Sequence, residues 1–161
     1  MRDIVPDPFK TKPWMYSKPT GENMSKLWVE EWKTVLLEVA EINNLHLVNK
    51  LDLKNMQPFD KLSTDSFEEL IEALLSTGYL TYWGKGNLRI YWKSIQAWTD
   101  NLIEKAKSMD RVVIFGFEAL EELDPRMTEI PRSDIDRIFN TAVNAGRARW
   151  VEKENLIIKV L

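Results

Sequence analysis

The side chains that could carry out acid–base or metal chemistry are few and badly spaced for it. His46 is the single histidine, and it stands in a strand-like alternation with no Ser, Cys or paired carboxylate at a catalytic spacing. The carboxylate pairs Glu30-Glu31 and Glu121-Glu122 are adjacent, so on a helix their side chains point about 100° apart and cannot clasp one metal ion or substrate. We therefore expect no catalytic residues, no metal site and no cofactor.

The glycine-rich stretch Gly84-Lys85-Gly86 is the one candidate for a phosphate-binding loop. Such a loop joins a strand to a helix. Here strand-like runs stand on both sides, at 79–83 and 88–92. The stretch is therefore predicted to be the turn of a β-hairpin, where glycine gives access to positive φ.

Composition restricts the class of protein further. The chain has 161 residues, no cysteine and a net charge of −3. The lack of cysteine removes disulfides and thiolate chemistry, and no apolar run approaches the roughly 18–20 residues that span a bilayer. We expect a soluble, cytoplasmic protein. Its nearly balanced charge argues against a protein devoted to the phosphate backbone of nucleic acids.

A pattern of about thirty residues occurs twice without a gap, and Phe67 and Ile135, which begin the two copies, are 68 positions apart. Each copy has apolar residues at the spacing of one helix face, then a glycine that ends the helix, then two strand-like runs. A helix that leads into a β-hairpin is the last half of a winged-helix domain. The sequence therefore predicts an α/β (α+β) fold of two tandem winged-helix domains, packed without a flexible linker. The helical positions are Phe67, Leu70, Ile71, Leu74, Leu75 and Gly78 in the first copy and Ile135, Ile138, Phe139, Ala142, Val143 and Gly146 in the second.

The elements that precede each copy complete the predicted domains. Prolines and aromatics dominate residues 1–22, which we expect to form an extended arm because proline disfavours helix for itself and its predecessor. Domain 1 then covers residues 23–93 and domain 2 covers residues 94–161. A first helix is predicted from about Met24 to Asn43, with an apolar face of Trp28, Trp32, Val35, Leu36, Val39 and Ile42.

Three further local predictions bear on possible binding surfaces. Leu88, Ile90 and Trp92 alternate with Arg89 and Tyr91, as in a strand with one buried face. A short, Glu-rich helix is expected over 117–123. Either Ser133 or Asp134 is expected to cap the second repeat helix.

The segment Pro13-Trp14-Met15-Tyr16 lies outside both repeats, and it has two possible roles. Segments that combine proline with aromatic residues are low-entropy ligands for grooves on other proteins. Alternatively, the arm folds back over its own first domain. Composition leaves both possibilities open.

Nucleic-acid binding is the alternative function, because winged helices often place their third helix in the major groove. The first repeat helix, between Ser63 and Thr77, has four carboxylates and no Lys or Arg, so it would repel phosphates. The second domain has a basic cluster that could contact DNA or RNA, although a solvated face with internal ion pairs is the simpler interpretation. This cluster is Arg132, Arg137, Arg147 and Arg149.

Three stretches resemble the vacuolar protein-sorting protein 25 family, the small subunit of the endosomal complex ESCRT-II. The segment 13–19, followed by a helix with Leu27 and Trp32, is similar to that family's Pro-Pro-aromatic-aromatic opening, although Lys12 replaces the first proline. The block 70–92 resembles its first winged helix. The third stretch, Trp98 with 113–118, resembles the start of its second.

The resemblance implies a non-catalytic adaptor of an ESCRT-II-like membrane-remodelling complex. In that family the arm and first winged helix dock onto the larger winged-helix subunits, with two copies of the small subunit per complex, and the second winged helix binds an ESCRT-III subunit. The protein would be recruited to endosomal or equivalent membranes only through its partners. By position, the segment that enters the partner's groove is Pro13, Trp14, Met15 and Tyr16. Because ESCRT-III first helices are basic, the surface expected for them is Phe117, Glu118, Glu121 and Glu122.

Overall fold

The computed structural model describes Phe9 and residues 11–161, and the chain divides into two compact units, residues 1–92 and residues 93–161. The remainder of the predicted arm, residues 1–8 and Lys10, lies outside the described part. Within the described residues, each unit combines three α-helices with a three-stranded antiparallel sheet. A helix, a strand, two further helices and a β-hairpin make up a winged helix, so the predicted tandem winged-helix fold is confirmed.

In the described part of the first unit, residues 13–16 of the predicted extended arm form a 3-10 helix, Pro13–Tyr16, between extended backbone at Lys12 and Ser17. The strand order of this unit is β1-β3-β2, and the hairpin between β2 and β3 is the wing. The elements are α1 Glu22–Asn43, β1 Leu47–Asn49, α2 Lys50–Asn55, a 3-10 helix at Phe59–Lys61, α3 Thr64–Leu75, β2 Leu80–Tyr82 and β3 Asn87–Ile90.

Helix α1 packs its tryptophans into the core of this unit. Trp28 and Trp32 are fully buried, one helical turn apart, and the Trp32 ring lies 5.4 Å from that of Phe59. Ile42 was predicted on the same face but is 69% exposed, whereas Ala40 is buried. The prediction for Ile42 was wrong because this residue lies in the last turn of α1, where the chain leaves the helix at Asn44 in a left-handed conformation. No helix among the described residues, α1 included, is both long and apolar enough to cross a bilayer.

Strand β3 departs from the predicted alternation of buried and exposed residues. Arg89 is as fully buried as its neighbours Leu88 and Ile90. Its guanidinium donates to the backbone oxygen of Ile90 and lies 4.2 Å from the centroid of the Tyr91 ring. Hydrogen bonds to main-chain oxygen and contact with an aromatic face can stabilise a buried guanidinium, so charge alone was a poor guide to the direction of this side chain.

The second unit repeats the same order with strand order β4-β6-β5. The Glu-rich helix predicted over 117–123 is present. The elements are α4 Ile95–Ser108, β4 Val113–Phe115, α5 Gly116–Leu123, a 3-10 helix at Pro125–Met127, α6 Arg132–Asn144, β5 Ala148–Glu152 and β6 Ile157–Val160.

Helix α6 is the second copy of α3, but its N-terminus differs from the prediction. Ser63 caps α3 by accepting a hydrogen bond from the Ser66 amide. At α6, Pro131 precedes the first residue and makes no side-chain cap. Asp134 instead lies in the first turn, buried, and pairs with Arg137 at 2.9 Å. The expected cap by Ser133 or Asp134 was therefore wrong, because the helix already begins at Arg132 and both residues lie inside its first turn, where the carboxylate of Asp134 is near the positive end of the helix dipole.

The repeat extends beyond the residues that revealed it. The Ile90 amide donates to the His46 carbonyl in the first sheet, and Ile114 pairs with Ile158 in the second. His46 and Ile114 are 68 positions apart, and so are Ile90 and Ile158, which is the same separation as between the first residues of α3 and α6. The strand that precedes the second helix of each unit is therefore part of the duplicated pattern, although the residue types had diverged too far to show it.

Candidate protein-binding surfaces

The segment Pro13–Tyr16 is fixed to its own unit by hydrogen bonds to one backbone atom. The indole Nε1 groups of Trp28 and Trp32 both donate to the Met15 carbonyl oxygen, at 2.7 and 2.8 Å. The Met15 side chain is 3% exposed and belongs to the core. Two buried indole donors would each lack a partner without this oxygen, so the segment is an integral part of the fold.

The four residues predicted to enter a partner's groove have different surroundings. Trp14 is 40% exposed and Pro13 is also exposed, so both present apolar surface to solvent. Tyr16 is half-buried, with the Lys61 ammonium 5.2 Å from its ring centroid. Met15 faces the interior. The structure therefore brings Pro13 and Trp14 together at the surface and separates Met15 from them; their role in docking stays a prediction.

A groove of about 410 Å³ lies where β4 enters α5 in the second unit. Phe115 and Phe117 line it and are 51% and 38% exposed. Gly116 lies between them with a φ of +52°, and a Cβ atom there would stand 2.9 Å from the Asn155 carbonyl oxygen. The turn at this glycine lets two aromatic residues line one groove, whose full lining is Phe115, Phe117, Glu118, Arg132, Asn155, Leu156 and Ile157.

The charged walls of this groove come from two helices. Glu118, in the first turn of α5, and Arg132, the first residue of α6, both line it. The Arg132 guanidinium donates to the Glu154 carbonyl oxygen and is held against the turn between β5 and β6. Glu121 is exposed on α5, and Glu122 is paired with Arg111. Of the predicted acidic surface, Phe117 and Glu118 line the groove, while Glu121 and Glu122 do not.

The four arginines of the alternative nucleic-acid surface do not form one cluster. Arg132 is the first residue of α6 and Arg147 follows its C-terminal end, and a 13-residue helix is roughly 20 Å long. Arg137 pairs with Asp134, and Arg147 pairs with Asp100. Hydrogen bonds from Arg147 and Gln96 hold the pKa of Asp100 below its usual range. These pairs agree with the simpler interpretation of the basic residues, a solvated face with internal ion pairs. Arg149 lies on the adjoining strand β5.

His46 is a buried core residue. Its ring stacks on Trp92 with centroids 5.2 Å apart, and its Nε2 lies 3.0 Å from Asn44 Oδ1. Among the described residues, no group of three or more His, Asp or Glu side chains is placed to hold a metal ion.

Sequence reasoning missed two features of these surfaces. The Met15 carbonyl that joins the two tryptophans is a backbone acceptor, and every residue type supplies one, so no residue pattern could have indicated it. Arg132 was assigned to the nucleic-acid alternative, whereas it lines the same groove as Phe117 and Glu118. The glycine between two phenylalanines was an available signal for the turn that forms the groove.

Two winged helices in tandem, each with a helix–hairpin repeat, define the chain as a tandem winged-helix protein. No protein-family model matches the sequence. Among curated proteins, none matches it either.

Solved structures match the fold closely despite low sequence identity. The chain is similar to subunit VPS25 of the endosomal trafficking complex ESCRT-II, with a TM-score of 0.71 and 15% identity over 92% of this chain and 94% of that one. It is also similar to a chain of the ESCRT-II endosomal trafficking complex, with a TM-score of 0.68 and 14% identity over 92% and 95% of the two chains. This chain therefore has the fold of VPS25 along nearly its whole length.

Proposed function

We propose that this protein is a non-catalytic assembly subunit of an ESCRT-II-like complex that remodels membranes. The observation that carries the proposal is the match to VPS25 over 92% of this chain and 94% of that one, which includes both winged helices. The residues that resemble the family, 13–19 above all, support the same assignment. Two copies of this chain per complex would act in the cytoplasm and reach endosomal or equivalent membranes through their partners.

The first unit would dock onto the larger winged-helix subunits of the complex. Pro13 and Trp14 offer exposed apolar surface on a segment that is already ordered, because Met15 fixes it to the core. A pre-ordered anchor loses little conformational entropy on binding. Aromatic anchors of this kind are frequent hot spots at protein interfaces.

Trp14→Ala is expected to abolish assembly with these larger subunits. A buried aromatic anchor at a hot spot contributes roughly 2–4 kcal/mol, so affinity should fall by roughly 30- to 1,000-fold. The measurement is co-expression with the winged-helix chains encoded by the same genome, followed by size-exclusion chromatography and native mass spectrometry. The intact chain should elute with them at two copies per complex.

The control is the fold of the variant itself. Trp14→Ala should keep the circular dichroism spectrum of the intact chain and should be less destabilised than Met15→Ala, since Trp14 is partly exposed. If the intact chain fails to assemble with any of the co-expressed subunits, the proposed function is wrong. If Trp14→Ala assembles normally, only the anchor is wrong.

The second unit would bind the first helix of an ESCRT-III subunit in the groove beside α5. Phe115 and Phe117 provide apolar surface, and the carboxylate of Glu118 suits the basic residues of such a helix. Glu121 adds a second carboxylate one turn along α5. The partner expected here is therefore an amphipathic helix with cationic residues beside its apolar face.

Glu118→Lys is expected to weaken binding of that helix at least tenfold, because a favourable charge contact becomes a repulsive one beside Arg132. Titration of synthetic first-helix peptides from ESCRT-III subunits of the same genome, by calorimetry at two salt concentrations, measures the effect. Glu104→Lys makes the same charge change at an exposed position of α4 and should leave affinity nearly unchanged. Equal weakening by both variants would mean that general charge, and not the groove, governs binding.

A further inference from the structure

Two cationic residues stand side by side on the outer face of the second sheet. Arg149 of β5 is directly opposite Lys159 of β6 in the antiparallel register. Directly opposite residues have Cβ atoms about 4.5–5.5 Å apart and share one face of the sheet. The alternating residues Trp150 and Ile158 face the interior, where Trp150 packs on Phe139. Arg149 and Lys159 therefore point away from the core.

Neither of these two side chains has an ion-pair partner among the residues that the structure describes. Other arginines of the second unit do have one: Arg111 pairs with Glu122, Arg137 with Asp134 and Arg147 with Asp100. Like charges directly opposite each other destabilise a sheet. The Arg149–Lys159 pair therefore does not stabilise the isolated fold, and an anionic partner would neutralise its two positive charges.

Aliphatic residues surround this pair. Val113 of β4 completes the row, opposite Lys159, and Ile157 and Leu161 flank Lys159 two positions away on the same face. Glu152 is opposite Ile157 in the same register, and its carboxylate accepts a hydrogen bond from the side-chain amide of Asn155. We call Val113, Arg149, Ile157, Lys159 and Leu161 the basic sheet face.

We propose that the basic sheet face binds an acidic protein segment that also bears apolar side chains. Complementary charge requires carboxylates opposite Arg149 and Lys159, and the aliphatic residues beside them require apolar groups. A phosphate backbone would leave Val113 and Ile157 without a matching contact. A bilayer is favoured by several protruding apolar side chains, whereas of the three aliphatic residues of this face only Leu161 is mostly exposed and Val113 and Ile157 are half-buried. The basic sheet face shares Ile157 with the groove, but its proposed partner is acidic whereas the partner proposed for the groove is basic, so the inference does not depend on that function.

The test selects random displayed peptides against the intact chain and removes those that also bind the doubly reversed variant, Arg149→Glu with Lys159→Glu. Enriched peptides should combine Asp or Glu with Leu, Ile or Val. Synthetic versions should shift the NMR amide signals of β4, β5 and β6. They should bind the doubly reversed variant at least about tenfold more weakly.

A matched control has the same change of net charge elsewhere. Lys85→Glu with Lys107→Glu alters two exposed lysines, one on the first wing and one on α4, and should keep affinity within about twofold because neither lysine belongs to the basic sheet face. Enrichment of basic or uncharged peptides, or equal loss of affinity in both double variants, would overturn the proposal. Tighter binding of phosphatidylserine vesicles or polynucleotides through Arg149 and Lys159 would also overturn it. So would self-association that the double reversal removes, since the occupant would then be a second copy.

A second readout separates a binding role from a structural one. The single variant Arg149→Glu replaces a like-charge pair by an opposite-charge pair, so the unfolding temperature of the second unit should rise by about 1–4 °C while peptide binding is lost. A lower unfolding temperature in this variant would contradict the proposed repulsion between Arg149 and Lys159.

Discussion

Met15→Ala is expected to lower the free energy of unfolding of the first unit by about 2–5 kcal/mol, the usual cost of truncating a buried methionine. The side chain is 3% exposed within the core of that unit. Its truncation also loosens the segment whose backbone oxygen accepts hydrogen bonds from Trp28 and Trp32. Urea unfolding followed by tryptophan fluorescence measures the change, because both indoles report on this region.

Trp14→Ala is the matched comparison for that result. The two residues are adjacent in the same 3-10 helix, but Trp14 is partly exposed, and its indole makes no hydrogen bond to the described residues of the core. We expect a clearly smaller loss than for Met15→Ala. If the two variants lose equal stability, or if Met15→Ala unfolds like the intact chain, the segment is not fixed to the core as described.

Gly116→Ala is expected to destabilise the second unit by about 2–4 kcal/mol. A residue with a side chain in the left-handed region costs roughly 1–2 kcal/mol, and the added Cβ would also stand 2.9 Å from the Asn155 carbonyl oxygen. This oxygen belongs to the backbone, which cannot move aside as a flexible side chain can. The same displacement would move Phe117 relative to Phe115, so peptide binding to the groove should fall along with stability.

Gly146→Ala separates the two causes of this loss. Gly146 also has positive φ, +72°, but its added Cβ would meet nothing within 4 Å. Only the conformational cost of roughly 1–2 kcal/mol should remain, and groove binding should be unchanged. Thermal unfolding of both variants beside the intact chain provides the comparison. Equal losses would show that the contact with Asn155 contributes nothing.

Much of the fold was predictable because the same helix–glycine–hairpin pattern occurs twice. Periodicity identified α3 and α6, and Gly78 and Gly146 do adopt the positive φ that ends such helices. A repeat of this kind constrains the prediction, since any assignment must hold in both copies. The start of α1 at Glu22, two residues before the predicted Met24, and the exposure of Ile42 were missed. Periodicity does not fix where a helix begins or where it leaves the core.

The candidate surfaces were predictable only in part. The family resemblance suggested Phe117 and Glu118, which do line a groove, but it could not place Arg132 in the same groove, since the two helices that meet there are distant in the sequence. For the N-terminal segment, composition left docking and folding back equally open. In the structure Met15 belongs to the core of the first unit and Trp14 offers surface, so the segment does fold back at Met15, while docking by Pro13 and Trp14 stays a prediction.

The shared acceptor at Met15 has a consequence for an unassembled copy of the chain. Any ligand that immobilises Trp14 also restrains the next residue, and with it the oxygen that both buried indoles need. Binding to the folded form alone adds RT ln(1 + [L]/Kd) to stability. Under the proposed docking through Trp14, the unassembled subunit would be the less stable one and the first to expose its tryptophans to cellular proteolysis, and the amount of this chain would follow the amount of its partners.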